Sequence, residues 1–170
     1  MRRPVTWAVV IALLLAVQVL AQVVVAPIST AEGAACPDTE ATASTSSTAR
    51  QAASRRPVVF VHGWTGKPMT DAATELRRQL GDRISTFTFD YSRWALHWAS
   101  DSHIAPCLAD DINDVSQAHE DVQGDGKVVV IAHSMGGLAI RYAMDPAVVK
   151  SPATSTIVPA IITLGTPHLG

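Results

Sequence analysis

Past residue 56 the chain alternates short apolar runs with segments whose apolar residues recur at helical spacing. Val58-Val59-Phe60-Val61 is β-branched and continuous, the pattern of a strand buried on both faces, and it runs into the loop His62-Gly63-Trp64-Thr65-Gly66. A helix is predicted over 70–80: Thr70 is placed to cap it, Ala73, Leu76 and Leu80 share a face, and Gly81 ends it. Ile84 to Tyr91 alternates around Phe87 and Phe89 and predicts a second strand. Ser92 to His103 has no clear period and reads as a long surface loop. The next helix starts near Pro106, suited to a first helical position, with Leu108, Ile112, Val115 and Val122 as its apolar stripe. Asp110, Asp111 and Asp114 fall to its solvated face. Gly124-Asp125-Gly126 turns the chain into a strand over Val128–Ala132, then a helix reaches about Met144 and stops at Asp145-Pro146. Val158 to Leu164 is the last strand, followed by Gly165-Thr166-Pro167-His168-Leu169-Gly170. Strands alternating with helices imply an α/β fold: a mostly parallel sheet with helices on both faces.

The N-terminus follows a different pattern. Arg2 and Arg3 precede an apolar stretch from Val5 to Ala26 that is broken only by Thr6, Gln18 and Gln22. With small residues after it, residues 1–31 read as a secretory signal peptide. The alternative is a membrane anchor, because about 20 apolar residues span a bilayer. Either reading exports the domain that follows. Residues 32–56 are rich in Ala, Ser and Thr and read as a disordered linker, so the folded domain is 57–170. The formal net charge is -2 and charged residues are 16% of the chain, which offers no basic footprint for nucleic acid. Cys36 and Cys107 are the only cysteines, and outside the cytoplasm two thiols more often pair than stay free. Gly33-Ala34-Ala35-Cys36 is a poor lipidation site, lacking a Leu-like residue at Gly33. No His or Cys spacing suggests a metal, and nothing calls for a cofactor.

Chemistry enters at Ala132-His133-Ser134-Met135-Gly136. A serine on a sharp strand-to-helix turn needs small neighbours two positions either side, and Ala132 and Gly136 supply them. The plain alternative is a strand-loop-helix turn with an ordinary serine. Functional loops of a parallel sheet gather at the strands' carboxyl ends, so His62–Gly66, His133–Gly137 and Gly165–Gly170 should converge. Acyl transfer needs an activated hydroxyl and donors for the oxyanion, and the amide of Met135 and one from the His62-Gly63-Trp64 loop are placed to serve.

Val61-His62-Gly63, Ala132-His133-Ser134-Met135-Gly136-Gly137 and Leu164-Gly165-Thr166-Pro167-His168 together resemble a secreted bacterial lipase or esterase of the α/β-hydrolase fold. The resemblance implies Ser134 as nucleophile and the Trp64 and Met135 amides as oxyanion hole. His62, Gly63, His133, Gly136, Pro167 and His168 would then shape the supporting loops. It implies a lipophilic ester as substrate and transient contact with a lipid interface, and leaves the oligomeric state open. Trp94, Leu96 and Trp98 are either an acyl pocket or lid, or packing residues. In the family an acid and a histidine base follow the nucleophile. Here Asp145 is expected about 16 Å along a helix, near the wrong edge of the sheet, and His168 does not match the family's base. The sequence therefore reads as the N-terminal part of such a domain, cut after the strand ending near Leu164, with the acid and base expected beyond Gly170. Val158–Leu164 would then be an exposed apolar edge. His97, His103 and His119 are expected at the surface. An acyltransferase or thioesterase of the same fold, or a catalytically incomplete paralogue acting as a binding module, remain alternatives.

Overall fold

A computed structural model describes Cys36 and residues 55–169. The expected leader, and the linker apart from Cys36, Arg55 and Arg56, lie outside the described residues. Among the described residues four strands and three α-helices alternate: β1 (Arg56–Val61), α1 (Thr70–Leu80), β2 (Ile84–Phe89), α2 (Ala105–Glu120), β3 (Val129–His133), α3 (Met135–Ala143) and β4 (Ala160–Leu164). One-turn 3-10 helices occupy Gly81–Arg83 and Ser92–Trp94.

The described strands form one sheet in the order β2-β1-β3-β4, parallel throughout. Parallel neighbours require crossovers, and the helices supply them. Val61 stands beside both Phe89 and Ala132, and His133 beside Leu164, so the carboxyl ends of all four strands share one rim. Side chains alternate between two cores. Val59, Val61, Phe89, Val130 and Ala132 pack with Leu108 and Ile112 of α2 and Ile140 of α3. Val58, Phe60 and Ile84 pack on the opposite face with Ala73, Met69 and Leu76 from α1 and its approach. Helices on both faces explain why β1 is a continuous apolar run rather than an alternating one.

Several local expectations change. Met69, not Thr70, is the N-cap of α1 and makes no side-chain cap bond; Gly81, at φ 58, does end the helix. β1 begins at Arg56, a residue that composition assigns to the linker. Its guanidinium pairs with Asp125 at 2.6 Å and donates to the Lys127 carbonyl, tying the start of β1 to the turn before β3. β2 stops at Phe89 and does not alternate, because Ser85, Thr86 and Thr88 are buried as well. β3 and β4 begin at Val129 and Ala160, later than their apolar runs. Pro106 is the second helical residue of α2, not the first, and Val122 lies past its end.

The larger corrections concern polar residues. Asp110 and Asp114 are solvated, whereas Asp111 is only 7% exposed. His119, expected at the surface, is 4% exposed at the end of α2, with its ring against Gly124 and Asp125 3.6 Å away. β4, by contrast, does expose apolar side chains: Ile161, Ile162 and Leu164 all face solvent among the described residues. Cys36 is disulfide-bonded to Cys107 of α2, with Cα atoms 5.3 Å apart. Among the described residues no helix is long and apolar enough to cross a membrane.

Candidate functional site

β3 ends at His133 and α3 begins at Met135, so the chain reverses from strand to helix through Ser134 alone. Such a reversal forces Ser134 to φ 52 and ψ -123, a region that favours glycine. Backbone held this way costs of order 1–3 kcal/mol and persists only where the surroundings fix it. Here they do. The Ser134 N–H donates to the Leu164 carbonyl at 2.9 Å, and its own carbonyl accepts the Gly137 N–H at 3.0 Å. Ala132 is fully buried two residues before it. Two residues after it, a Cβ on Gly136 would lie 2.5 Å from the His62 carbonyl and 2.6 Å from that of Val61. A glycine two residues after Ser134 is thus a steric requirement of the bend.

The neighbouring loops close on this bend. A Cβ on Gly63 would lie 2.8 Å from the Ser134 Cβ and 3.0 Å from the His133 Nδ1, so the loop after β1 rests directly on the elbow. A Cβ on Gly137 would collide with the Thr166 side chain, which places the loop after β4 against the first turn of α3. The first N–H groups of α3 have no intrahelical acceptors, and the helix dipole adds partial positive charge beside Ser134.

His62 is 2% exposed and built into the structure through both ring nitrogens. Its Nε2 lies 3.2 Å from the Tyr91 N–H and its Nδ1 2.9 Å from the Gly63 carbonyl. An N–H opposite Nε2 makes that nitrogen the acceptor, so the proton sits on Nδ1 and is donated to Gly63. Burial holds this imidazole below the ordinary histidine range, against smaller opposing effects of the Gly63 carbonyl and Asp90. The Tyr91 ring stacks on it with centroids 3.9 Å apart, and the Tyr91 hydroxyl donates to the His62 carbonyl at 2.6 Å. Burial pushes that phenol's pKa up, so it stays a donor. Nothing in the sequence couples Tyr91 to His62, 29 positions away; the only signal was its place at the end of an apolar run.

The remaining candidates divide. His133 is exposed at the end of β3, beside Gly63. The His168 ring nitrogen Nε2 lies 3.1 Å from Thr163 Oγ1, and its carbonyl accepts from Arg141 at 3.3 Å. A pocket of about 350 Å³ opens along α3, lined by Trp98, Leu138, Arg141, Tyr142, Asp145, Pro167 and His168. Asp145, expected near the wrong edge, therefore shares this pocket with His168, while its Oδ1 accepts the Ala147 N–H at 2.8 Å. Of the three apolar loop residues only Trp98 lines that pocket. Leu96 is 77% exposed, and Trp94 stacks on His103 at 4.8 Å. The His97 and His103 rings bracket Asp101, each at 2.9 Å; burial opposes its ionisation, but the His103 backbone N–H and then the two rings hold its carboxyl down to about 2.

A model of the alpha/beta hydrolase family matches residues 58–168, from the first strand core to the loop after β4. The chain belongs to the alpha/beta hydrolase family. As an alpha/beta hydrolase it carries the bend at Ser134 and both flanking loops inside the matched span. Comparison with curated proteins gave no match.

Proposed function

We propose that this alpha/beta hydrolase is an exported serine ester hydrolase acting on lipophilic esters through an acyl-enzyme on Ser134. The observation that carries the reading is the positive φ of Ser134 between the end of β3 and the start of α3, with Gly63 packed on it and Gly136 against the Val61 and His62 carbonyls. A hydroxyl held there is presented above the sheet rim rather than folded into it. In the reaction the Ser134 oxygen bonds to the ester carbonyl carbon while a base takes its proton. The carbonyl oxygen becomes an oxyanion held by the Trp64 and Met135 N–H groups. Collapse expels the alcohol, which receives the proton, and water then releases the acid from Ser134 by the same steps. His62 has both ring nitrogens engaged and His168 rests on Thr163, so neither is assigned the part of base.

Support for a lipophilic substrate comes from Trp64 and Trp98, each 60% exposed, and from the Trp98, Leu138 and Tyr142 surfaces of the pocket along α3. The Cys36–Cys107 bond supports an oxidising, extracytoplasmic location, as do the features of residues 1–31. The test is hydrolysis of p-nitrophenyl acyl esters by the full-length protein and by Ser134→Ala. Loss of turnover by at least a thousandfold is expected; equal rates would remove the nucleophile. Product analysis with added alcohols or thiols separates hydrolysis from acyl transfer.

A further inference from the structure

Holding Ser134 in place does nothing for an oxyanion unless the Trp64 N–H is also aimed, and Trp64 stands on an exposed loop. What aims it is legible from the peptide on its N-terminal side. The Gly63 carbonyl accepts two donors, the His62 Nδ1–H at 2.9 Å and the Gly66 N–H at 3.0 Å. Gly63 C=O and Trp64 N–H belong to one planar trans peptide, with no cis bond among the described residues. In such a plane the C=O and N–H point in opposite directions. Fixing the carbonyl therefore fixes the N–H.

The His62 ring can hold that carbonyl only as its Nδ1–H tautomer and only in one orientation. Tyr91 sets both. Its backbone N–H occupies Nε2, which forces the proton onto Nδ1, and its ring lies flat on the imidazole with planes 10° apart. Its hydroxyl bonds the His62 carbonyl at 2.6 Å, steadying the preceding peptide, the same carbonyl against which Gly136 leaves no room for a Cβ. Asp90 lies 3.6 Å from Nε2, too far to compete for it as a hydrogen-bond partner.

We propose that Tyr91, acting through His62, is a positioning residue for the Trp64 oxyanion donor: a Tyr91–His62–Gly63 clamp that sets the direction of that N–H before substrate arrives. It rests on Ser134 being the acyl nucleophile and goes beyond that reading by assigning work to a tyrosine that touches no reacting atom. The clamp acts on the charge that develops during reaction, so it affects turnover and not ground-state binding.

The experiment measures kcat and KM for p-nitrophenyl butyrate in the full-length protein, with Tyr91→Phe, His62→Asn, His62→Ala and Ser134→Ala. Thermal melts first confirm that each variant is folded at the assay temperature. Tyr91→Phe keeps the stacked ring and the backbone donor but loses the bond to the His62 carbonyl. Its kcat should fall roughly tenfold to a hundredfold with KM within about twofold, less than the 10²–10³ lost with a whole donor. Asn places an N–H the same number of bonds from the backbone as Nδ1. His62→Asn should therefore recover about tenfold or more over His62→Ala. Binding of an alkyl boronic acid, which mimics the tetrahedral adduct, should weaken in step with kcat. Tyr91→Phe with wild-type kcat, a change confined to KM, or His62→Asn no better than His62→Ala would overturn the clamp while leaving the nucleophile intact. Should Tyr91→Phe fail to fold, Tyr91→Leu, which also lacks the hydroxyl, takes its place beside the two His62 variants, under the same expectation. If the ester is not turned over, the rate of labelling by a fluorophosphonate replaces kcat. Wild-type protein that is not labelled, or Ser134→Ala that still turns over ester, removes the underlying reading and the clamp with it.

Discussion

Ser134 carries a cost at the scale of a single residue: its backbone is held where any side chain is disfavoured. Glycine adopts φ 52 without the steric cost that a Cβ imposes. Ser134→Gly should therefore be more stable than Ser134→Ala by about 1 kcal/mol, with both inactive, as measured by urea denaturation. Equal stabilities would mean that the bend stores no strain. Gly136 is the opposite case. The atoms its Cβ would meet are the backbone carbonyls of Val61 and His62, which have no rotamer to yield. Gly136→Ala should cost about 1–3 kcal/mol and displace the loop after β1, seen as a lower urea midpoint together with lost turnover.

Elements were the most legible level, and the reason is physical. With helices on both faces, β1 and β3 are built on continuous apolar runs, and glycine or proline punctuates nearly every boundary, so the order of elements followed from the sequence. What escaped was the choice of which polar residue is buried. Asp110 and Asp111 are neighbours of one type, and only the packing on α2 decides that the second is inside. His119 escaped for the same reason, since the turn that covers it arrives later in the chain. The bend at Ser134 was legible because its steric requirements are local to a few residues. The His62–Tyr91 clamp was not, because it exists only through the parallel pairing of β1 with β2.

His119 also makes the end of α2 sensitive to acid. Burial, and next the nearby Arg56 charge, hold its pKa below the ordinary histidine value, while Asp125 and Glu120 oppose. A base whose folded pKa is depressed binds protons more readily when unfolded. Its stabilising effect is thus complete above about pH 6.5 and is lost as pH falls from there through the lower folded value. Melting temperatures between pH 7.5 and 5 should fall for wild type, and less steeply for His119→Gln. His62, depressed in the same direction, contributes to the slope that remains.

At the scale of the whole molecule two features bear on stability and association. The Cys36–Cys107 bond closes a loop of 71 positions, which in the chain-entropy account is worth about 4 kcal/mol. Denaturation with and without reductant should show a loss approaching that size, and no loss would mean that residue 36 is not tied down. β4 is the other feature. It is an edge strand with Ile162 50% exposed, and such an edge is a template for pairing with another chain. The 170-residue chain should associate as its concentration rises, and Ile162→Lys should reduce light scattering without lowering the melting temperature.

The hydrogen bond from the Ser134 N–H to the Leu164 carbonyl makes the bend the last rung of the β3–β4 ladder. A residue inserted between positions 160 and 164 would shift that rung. It would flip the side chains beyond it to the opposite face and carry Thr166 off Gly137. Length variation between Ser134 and Thr166 should consequently be confined to the connection between α3 and β4. Homologous chains should keep the spacing from Leu164 to Thr166 constant even where the connection between α3 and β4 grows.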